Sequence, residues 1–200
     1  MRYSADHKQQ THRRIVQTAA RAFKKHGLEG VGIADLMKKA GLTHGGFYAH
    51  FPDRDTLVTE ATAAGYEEAA DRLLSALADK PADERVAAFL DRYLSAAHRT
   101  HAEHGCPLPA IAADMSRQPA PVRRTFTEQF RRYGARLAAL LPARARADRE
   151  ATALAVLSGL AGAIMLARAV SDPDLSDRIL AASRQFYLDA LEHQPKHAKA

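Results

Sequence analysis

Apolar residues return every three or four positions along almost the whole chain, and this spacing predicts helices. Ile15, Ala19, Ala22, Phe23 and His26 fall on one stripe of a helix over residues 5–26. Gly27 is placed to end it, and Lys24 and Lys25 suit the negative end of its dipole. Ile33, Leu36, Met37 and Ala40 repeat the pattern for only two turns before Gly41 stops them. Thr43 stands at the N-cap of a third short helix over 44–50, with Phe47 and Phe51 as its buried face. Pro52-Asp53 then punctuates the chain, and Asp53 caps a long helix over 54–77.

The same periodicity continues. Residues 82–103 carry Val86, Phe89, Leu90, Tyr93, Leu94 and Ala97 on one side of a predicted helix, and 104–109 read as a turn. A shorter helix runs to Arg117, and Pro119 and Pro121 introduce another over 122–141, closed by Pro142. Helices over 147–170 and 175–192 complete the chain, before a short polar tail expected to be disordered over 195–200. No period-2 run interrupts them, so the expected fold is all-α with about nine helices.

Composition narrows the classes. A hydrophobic content of 46% is too high for a disordered chain, and one cysteine excludes an internal disulfide framework or a Cys-rich zinc site. No secretory signal pattern opens the chain. The longest nearly uncharged apolar stretch, 151–167, falls short of the roughly 20 residues of a membrane span. No membrane partner and a cytoplasmic location are therefore expected.

Charge changes the picture more. Residues 1–52 hold nine Lys/Arg against three Asp/Glu, while the remaining residues hold 20 of each, so the whole net charge of +6 sits in the first quarter. A short segment suited to a polyanion is joined to a neutral body. The division expected on this basis is 1–52 as a binding head and 53–194 as a body.

Within the head, residues 32–51 have the lengths of a helix-turn-helix. Gly41 permits the left-handed turn, Leu42 wedges between the helices, and Phe47 and Phe51 dock the second helix from behind. Its exposed side is then Thr43, His44, Gly45, Gly46, Tyr48 and His50, small near its start and free of carboxylates. A helix entering the major groove of double-stranded DNA needs that combination, because phosphates repel acids and base edges need close approach. The alternative use of the same pattern is a helical hairpin inside an ordinary core.

These residues also resemble a known family. Residues 41–51, followed by Arg54-Asp55-Thr56-Leu57, are similar to the N-terminal domain of TetR-family transcriptional regulators. Arg14-Ile15, Ala19–Phe23 and His26-Gly27 match that family's first helix. The resemblance is specific over residues 10–57, and beyond them it rests on helix count and order. It implies a homodimeric, ligand-responsive repressor without catalysis or cofactor, released from its operator by a small molecule. By the same resemblance Tyr48, His50 and Arg54 match phosphate-contacting positions, and Thr43, His44, Gly45 and Gly46 match the base-reading surface. Gly32 departs from the pattern where a hydroxyl residue is common, and Gly46 offers no side chain to a base.

In the body, residues 151–167 are apolar nearly all round and rich in Ala and Gly, which predicts burial on every side. The resemblance implies that the last two long helices pair with a second copy. Phe89, Tyr93, Met115, Phe126, Phe130, Tyr133 and Met165 are candidate effector contacts, each also readable as simple core. Cys106 has two readings, a small buried hydrophobe or a redox or electrophile sensor near His98, His101 and His104. Three-residue spacing drifts around a helix, so those histidines are expected to form a solvated face rather than a metal site. The rival class is a helical enzyme or small-molecule carrier with a basic partner-binding segment. No phosphate-cradling Gly loop or nucleophile–base pair in the sequence supports it.

Overall fold

A computed structural model of the chain describes residues 5–141 and 149–192. Pro142, the first two residues of the helix expected from 147, and the tail over 195–200 lie outside the described residues.

The described residues form nine α-helices and no strand: α1 (Ala5–His26), α2 (Ile33–Lys39), α3 (Arg54–Leu74), α4 (Arg85–Tyr93), α5 (Ala96–Thr100), α6 (Leu108–Met115), α7 (Ala120–Leu140), α8 (Arg149–Ala169) and α9 (Pro173–Glu192). Three short 3-10 segments, His44–Ala49, Ser75–Leu77 and Ala102–His104, complete the helical content. Gly27 (φ 72°) and Gly41 (φ 71°) take the expected left-handed backbone. After α2 the amide of Leu42 donates to the Met37 carbonyl and that of Gly41 to Lys38, a Schellman ending that turns the chain sharply into the next element.

Two expectations are corrected. The single helix over 82–103 is in fact α4, α5 and a 3-10 turn, broken at Leu94-Ser95. Ser95 Oγ accepts the His98 amide at 3.1 Å, and the His98 imidazole donates from Nδ1 to the Tyr93 carbonyl at 2.6 Å. Side chains thus satisfy the backbone groups freed by the break. His98 is consequently buried rather than solvated, while His101 and His104 are exposed.

The chain gathers into two compact units. One comprises the described residues up to Ala69 together with His101–Phe130, and the other comprises Ala70–Thr100 with the described residues from Arg131 onward. In the first, Ile15, Phe23, Leu36, Met37, Phe47, Phe51, Leu57 and Val58 share one buried cluster with Ile111, Met115 and Val122. Residues 101–130 therefore pack with the basic head.

In the second unit α8 packs along α9 and α4 also packs on α9. Arg168 donates to the carbonyls of His98 and Arg99 at the end of α5, and Ser176 Oγ donates to the Ala167 carbonyl at 2.6 Å. Gly159 leaves room for Tyr187 to lie close on α8, because a Cβ there would sit 1.5 Å from Tyr187 Oη and the ring would have to shift. By length and composition α8 could cross a membrane. Its Ala153, Val156, Leu157, Leu160, Ala163, Ile164 and Ala167 are nevertheless buried within this unit. Burial on every side is not what the structure shows. Met165 and Leu166 are 49% and 54% exposed, leaving one side of α8 open.

Candidate nucleic-acid interface

Of the residues expected to face DNA, His44, Gly45, Gly46 and Tyr48 lie on one short element with Thr43 and His50 at its two ends, while Arg54 opens α3. His44–Ala49 is a 3-10 segment rather than an α-helix. Gly45 and Gly46 supply the reason, since each costs an α-helix about 1 kcal/mol relative to alanine and lowers the gain from regular α hydrogen bonding. Phe47 is fully buried and Phe51 nearly so, their rings stacked with centroids 5.5 Å apart. That anchor turns Thr43, His44, Gly45 and Tyr48 outward, Tyr48 being 65% exposed.

Thr43 holds the N-cap position in extended backbone, yet its side chain makes no capping hydrogen bond. Its hydroxyl stays exposed with the rest of the face. No atom lies within 4 Å of a Cβ added to Gly45, and one added to Gly46 would meet only Thr43 Oγ1 and Met37 Cε at ordinary contact distances. Packing therefore leaves both positions open. Their effect is to keep the outer surface low, which a groove-reading segment can use.

His50 sits differently from its neighbours. It is half-buried at the end of the segment, and its Nδ1 is buried without a hydrogen-bond partner. Burial first, then the positive ends of His12 and Lys8, hold its pKa below the ordinary 6.5. The His12 ring stacks on Phe51 at 4.4 Å and donates from Nε2 to Glu60 on α3 at 2.6 Å. A brace of α1, the segment and α3 thus holds His50 from behind. His12 and Glu60 carried no signal in sequence, because their partnership spans 48 positions.

At the start of α3, Asp53 accepts from the Thr56 amide and hydroxyl, both at 2.7 Å, and these bonds pull its pKa down. Arg54 follows. Its guanidinium donates to the Leu28 carbonyl in the turn after α1, so part of its donor fork is already committed within the protein.

The positive surface of the head is formed by Lys8, Arg13, Arg14, Arg21, Lys25, Lys38 and Lys39, all exposed. Among the described residues of the head, Lys24 is the exception. It is 2% exposed and bonded to Glu68 on α3 at 2.9 Å, so it braces helices instead of facing solvent. Glu68 also lies 3.9 Å from Arg21.

The candidate effector contacts divide between the units. Met115, Phe126 and Phe130 belong to the first, where Phe126 lies against Tyr66 (5.9 Å) and stacks on Phe130 (6.4 Å). Phe89, Tyr93, Tyr133 and Met165 belong to the second, the first three buried and Met165 on the open side of α8. Cys106 is fully buried. Burial and, after it, the nearby Cys106 thiol push the Tyr66 phenol well above its ordinary value.

Comparison with known proteins gives a consistent picture. Residues 15–61 match the family model "Bacterial regulatory proteins, tetR family", and residues 82–183 match the "Tetracyclin repressor-like, C-terminal domain". The HTH-type transcriptional regulator LmrA of Bacillus subtilis is 27% identical over 123 residues, 60% of this chain. TtgR of Pseudomonas putida is 36% identical over 58 residues, 29% of this chain. The matched segments span 65% and 28% of those two relatives. A solved TetR transcriptional regulator from Chloroflexus aurantiacus superposes with a TM-score of 0.77 at 26% identity, covering 94% of this chain and 98% of the other. With the helical order, the acid-free segment and the C-terminal match over half its length, the chain belongs to the TetR family of transcriptional regulators.

Proposed function

We propose that the protein is a ligand-responsive, sequence-specific DNA-binding regulator, a repressor that acts in the cytoplasm as a homodimer. The observation that carries this reading is the exposed, carboxylate-free face of Thr43–Tyr48, held outward by buried Phe47 and Phe51, in a head whose α1 and α2 carry exposed lysines and arginines. Lys and Arg of α1 and α2 supply sequence-independent attraction to phosphates, and Thr43 and His44 read base edges. Tyr48 and His50 contact phosphates and set the register. Gly45 and Gly46 let the backbone approach the groove.

Dimerisation through α8 and α9 is supported by the open side of those helices. Gly159, Gly162 and Leu166 on α8 and Ile179, Ala182 and Phe186 on α9 line a shallow apolar depression of about 440 Å³. Phe186 is 66% exposed, an unusual position for so large an apolar side chain unless a second surface covers it. A symmetric pair would present two recognition segments to half-sites roughly 34–36 Å apart, or a multiple of that spacing. The effector is a small, mainly apolar molecule, consistent with the apolar candidate contacts. Its leverage on DNA is limited to its differential affinity for the two states of the protein. Full burial of Cys106 favours packing over sensing.

The test is a mobility shift with promoter DNA flanking the protein's own gene and with duplexes enriched from a randomised library. Retarded complexes of dimer stoichiometry that weaken steeply with salt support the reading. Failure to bind any duplex at low ionic strength overturns it.

A further inference from the structure

A cleft opens on the head at the end of the recognition segment. His7, Lys8 and Thr11 of α1 line it together with Ala49 and His50, and Leu42 joins them from the turn after α2, around a volume of about 390 Å³. The lining is of two kinds. His7, Lys8, Thr11 and His50 offer positive charge or hydrogen-bond donors, while Leu42 and Ala49 offer small apolar surface. Among the described residues no carboxylate lines it. A bare anion would use only the first kind. A sugar–phosphate unit uses both, its phosphate against the donors and its deoxyribose against the apolar pair.

His50 is the group in this cleft with most to gain from an anion. Its Nδ1 is buried without a hydrogen-bond partner. The charged ring carries N–H on both nitrogens, so charging it places a donor at Nδ1, where neither water nor an acceptor meets it. The surroundings add to that cost. From α1 come Lys8, His7 and His12, whose ring centroid lies 6.1 Å from that of His50. From α3 comes Glu60, but its carboxylate is bonded to His12 at 2.6 Å. Asp53, three residues along the chain, is turned to Thr56. Burial first, then His12 and Lys8, accordingly hold the His50 pKa below 6.5, so the ring of the free protein is mainly neutral at pH 7.

We propose that this cleft seats one sugar–phosphate unit of the DNA backbone, and that His50 takes up a proton as the phosphate enters, so that affinity for DNA rises as pH falls. This rests on the DNA-binding reading and adds to it a linkage between protons and DNA. A phosphate beside the ring favours its charged form, and by reciprocity a charged ring holds the phosphate more tightly. Uptake of one proton changes affinity by up to about tenfold for each pH unit. Lys8 acts on both partners, repelling the proton in the free protein and attracting the phosphate in the complex.

The experiment uses the full-length protein and a duplex enriched from a randomised library by the wild type. Binding is measured at constant ionic strength from about pH 8 down to about pH 6, the range in which histidine changes charge. Wild-type affinity is expected to rise about tenfold over that range. His50→Gln, which keeps a donor but cannot become charged, is expected to lose most of the rise. Lys8→Ala should bind more weakly at every pH, with a salt slope lower by about 0.9, and should keep the rise. His101→Gln, outside the cleft, should keep both the rise and the slope. The His50 ring is also titrated by proton NMR in the wild type, with His50→Gln identifying its resonance. Its proton affinity is expected to increase about tenfold when the duplex is added. Inorganic phosphate alone, at the same concentration of phosphate groups, should leave it in place.

A rise that survives in His50→Gln overturns the proposal, and so does a wild-type His50 titration that the duplex leaves unmoved. An equal effect of inorganic phosphate would make the cleft a site for the free ion and overturn its assignment to the DNA backbone. An unchanged salt slope in Lys8→Ala removes the phosphate from the cleft. If the wild type enriches no duplex, the DNA-binding reading falls and takes the linkage with it. Duplex binding whose pH profile ignores His50 overturns the linkage alone.

Discussion

Two exposed surfaces of this molecule are made from opposite materials. The face of Thr43–Tyr48 is polar, acid-free and low in profile, and buried phenylalanines hold it out from behind. The open side of α8 and α9 is apolar, with Phe186 and Leu166 beside Gly159 and Gly162, and Met165 is exposed on α8 as well. The first gains nothing from burying apolar area and suits a hydrated polyanion. The second has little to offer a polyanion and suits a surface like itself. The anchors differ accordingly. Phe47 works by being inside and Phe186 by being outside.

The largest way to break this contrast is to remove the inner anchor. Phe47→Ala is expected to cost about 3–5 kcal/mol of stability, as buried aromatic truncations do, and to lower the midpoint of denaturant unfolding with loss of DNA binding. Phe186→Asp tests the other face. It is expected to leave the monomer's unfolding near wild type, because exposed substitutions usually change stability by no more than about 0.5 kcal/mol. Sedimentation should nevertheless show a shift from dimer to monomer. Dimerisation unaffected by a charge at Phe186 would remove α8 and α9 from the interface.

Smaller effects separate reading from holding. Tyr48→Ala should leave stability within about 0.5 kcal/mol and weaken binding about tenfold on all duplexes, while His44→Ala should change which sequences are preferred. Equal loss on all sequences for His44→Ala would assign it to phosphate instead. The smallest effect concerns acid. The folded state holds His50 below its ordinary 6.5, so below that pH the unfolded chain binds more protons. The resulting stability is fully present above 6.5 and is lost as pH falls through the lowered value. In His50→Gln the acid limb of a stability-versus-pH curve should be shallower than in wild type. An unchanged limb would mean that His50 titrates alike in both states.

What could be read before the structure was what local chemistry decides. Gly27 and Gly41 turn where a missing Cβ permits a positive φ, Asp53 caps the next helix, and the spacing of Phe47 and Phe51 places them inside. What could not be read depends on distant partners. Lys24 looked like one more cation for DNA, but Glu68, 44 residues on, draws it into the interior. The Leu28 amide donates to Asp114, 86 positions on, and nothing near either residue announces the bond. The break at Leu94-Ser95 was hidden for a third reason. Apolar periodicity runs straight across it, and the groups that make it tolerable, Ser95 and His98, are ordinary residues in a helix.

The positive charge of the head follows the same division. Its net value is visible in composition, but the structure leaves Lys8, Arg13, Arg14, Arg21, Lys25, Lys38 and Lys39 on the surface and takes Lys24 away. Only the exposed cations can exchange counterions with DNA.

The salt dependence of wild-type binding to an enriched duplex therefore tests the central claim most directly. With Tyr48, His44 and the exposed cations facing DNA, the logarithm of the binding constant should fall linearly with the logarithm of salt concentration. The slope should be steep, near 0.9 for each phosphate neutralised, and several phosphates should be engaged. Binding that is absent at low ionic strength, or indifferent to salt, would contradict the account.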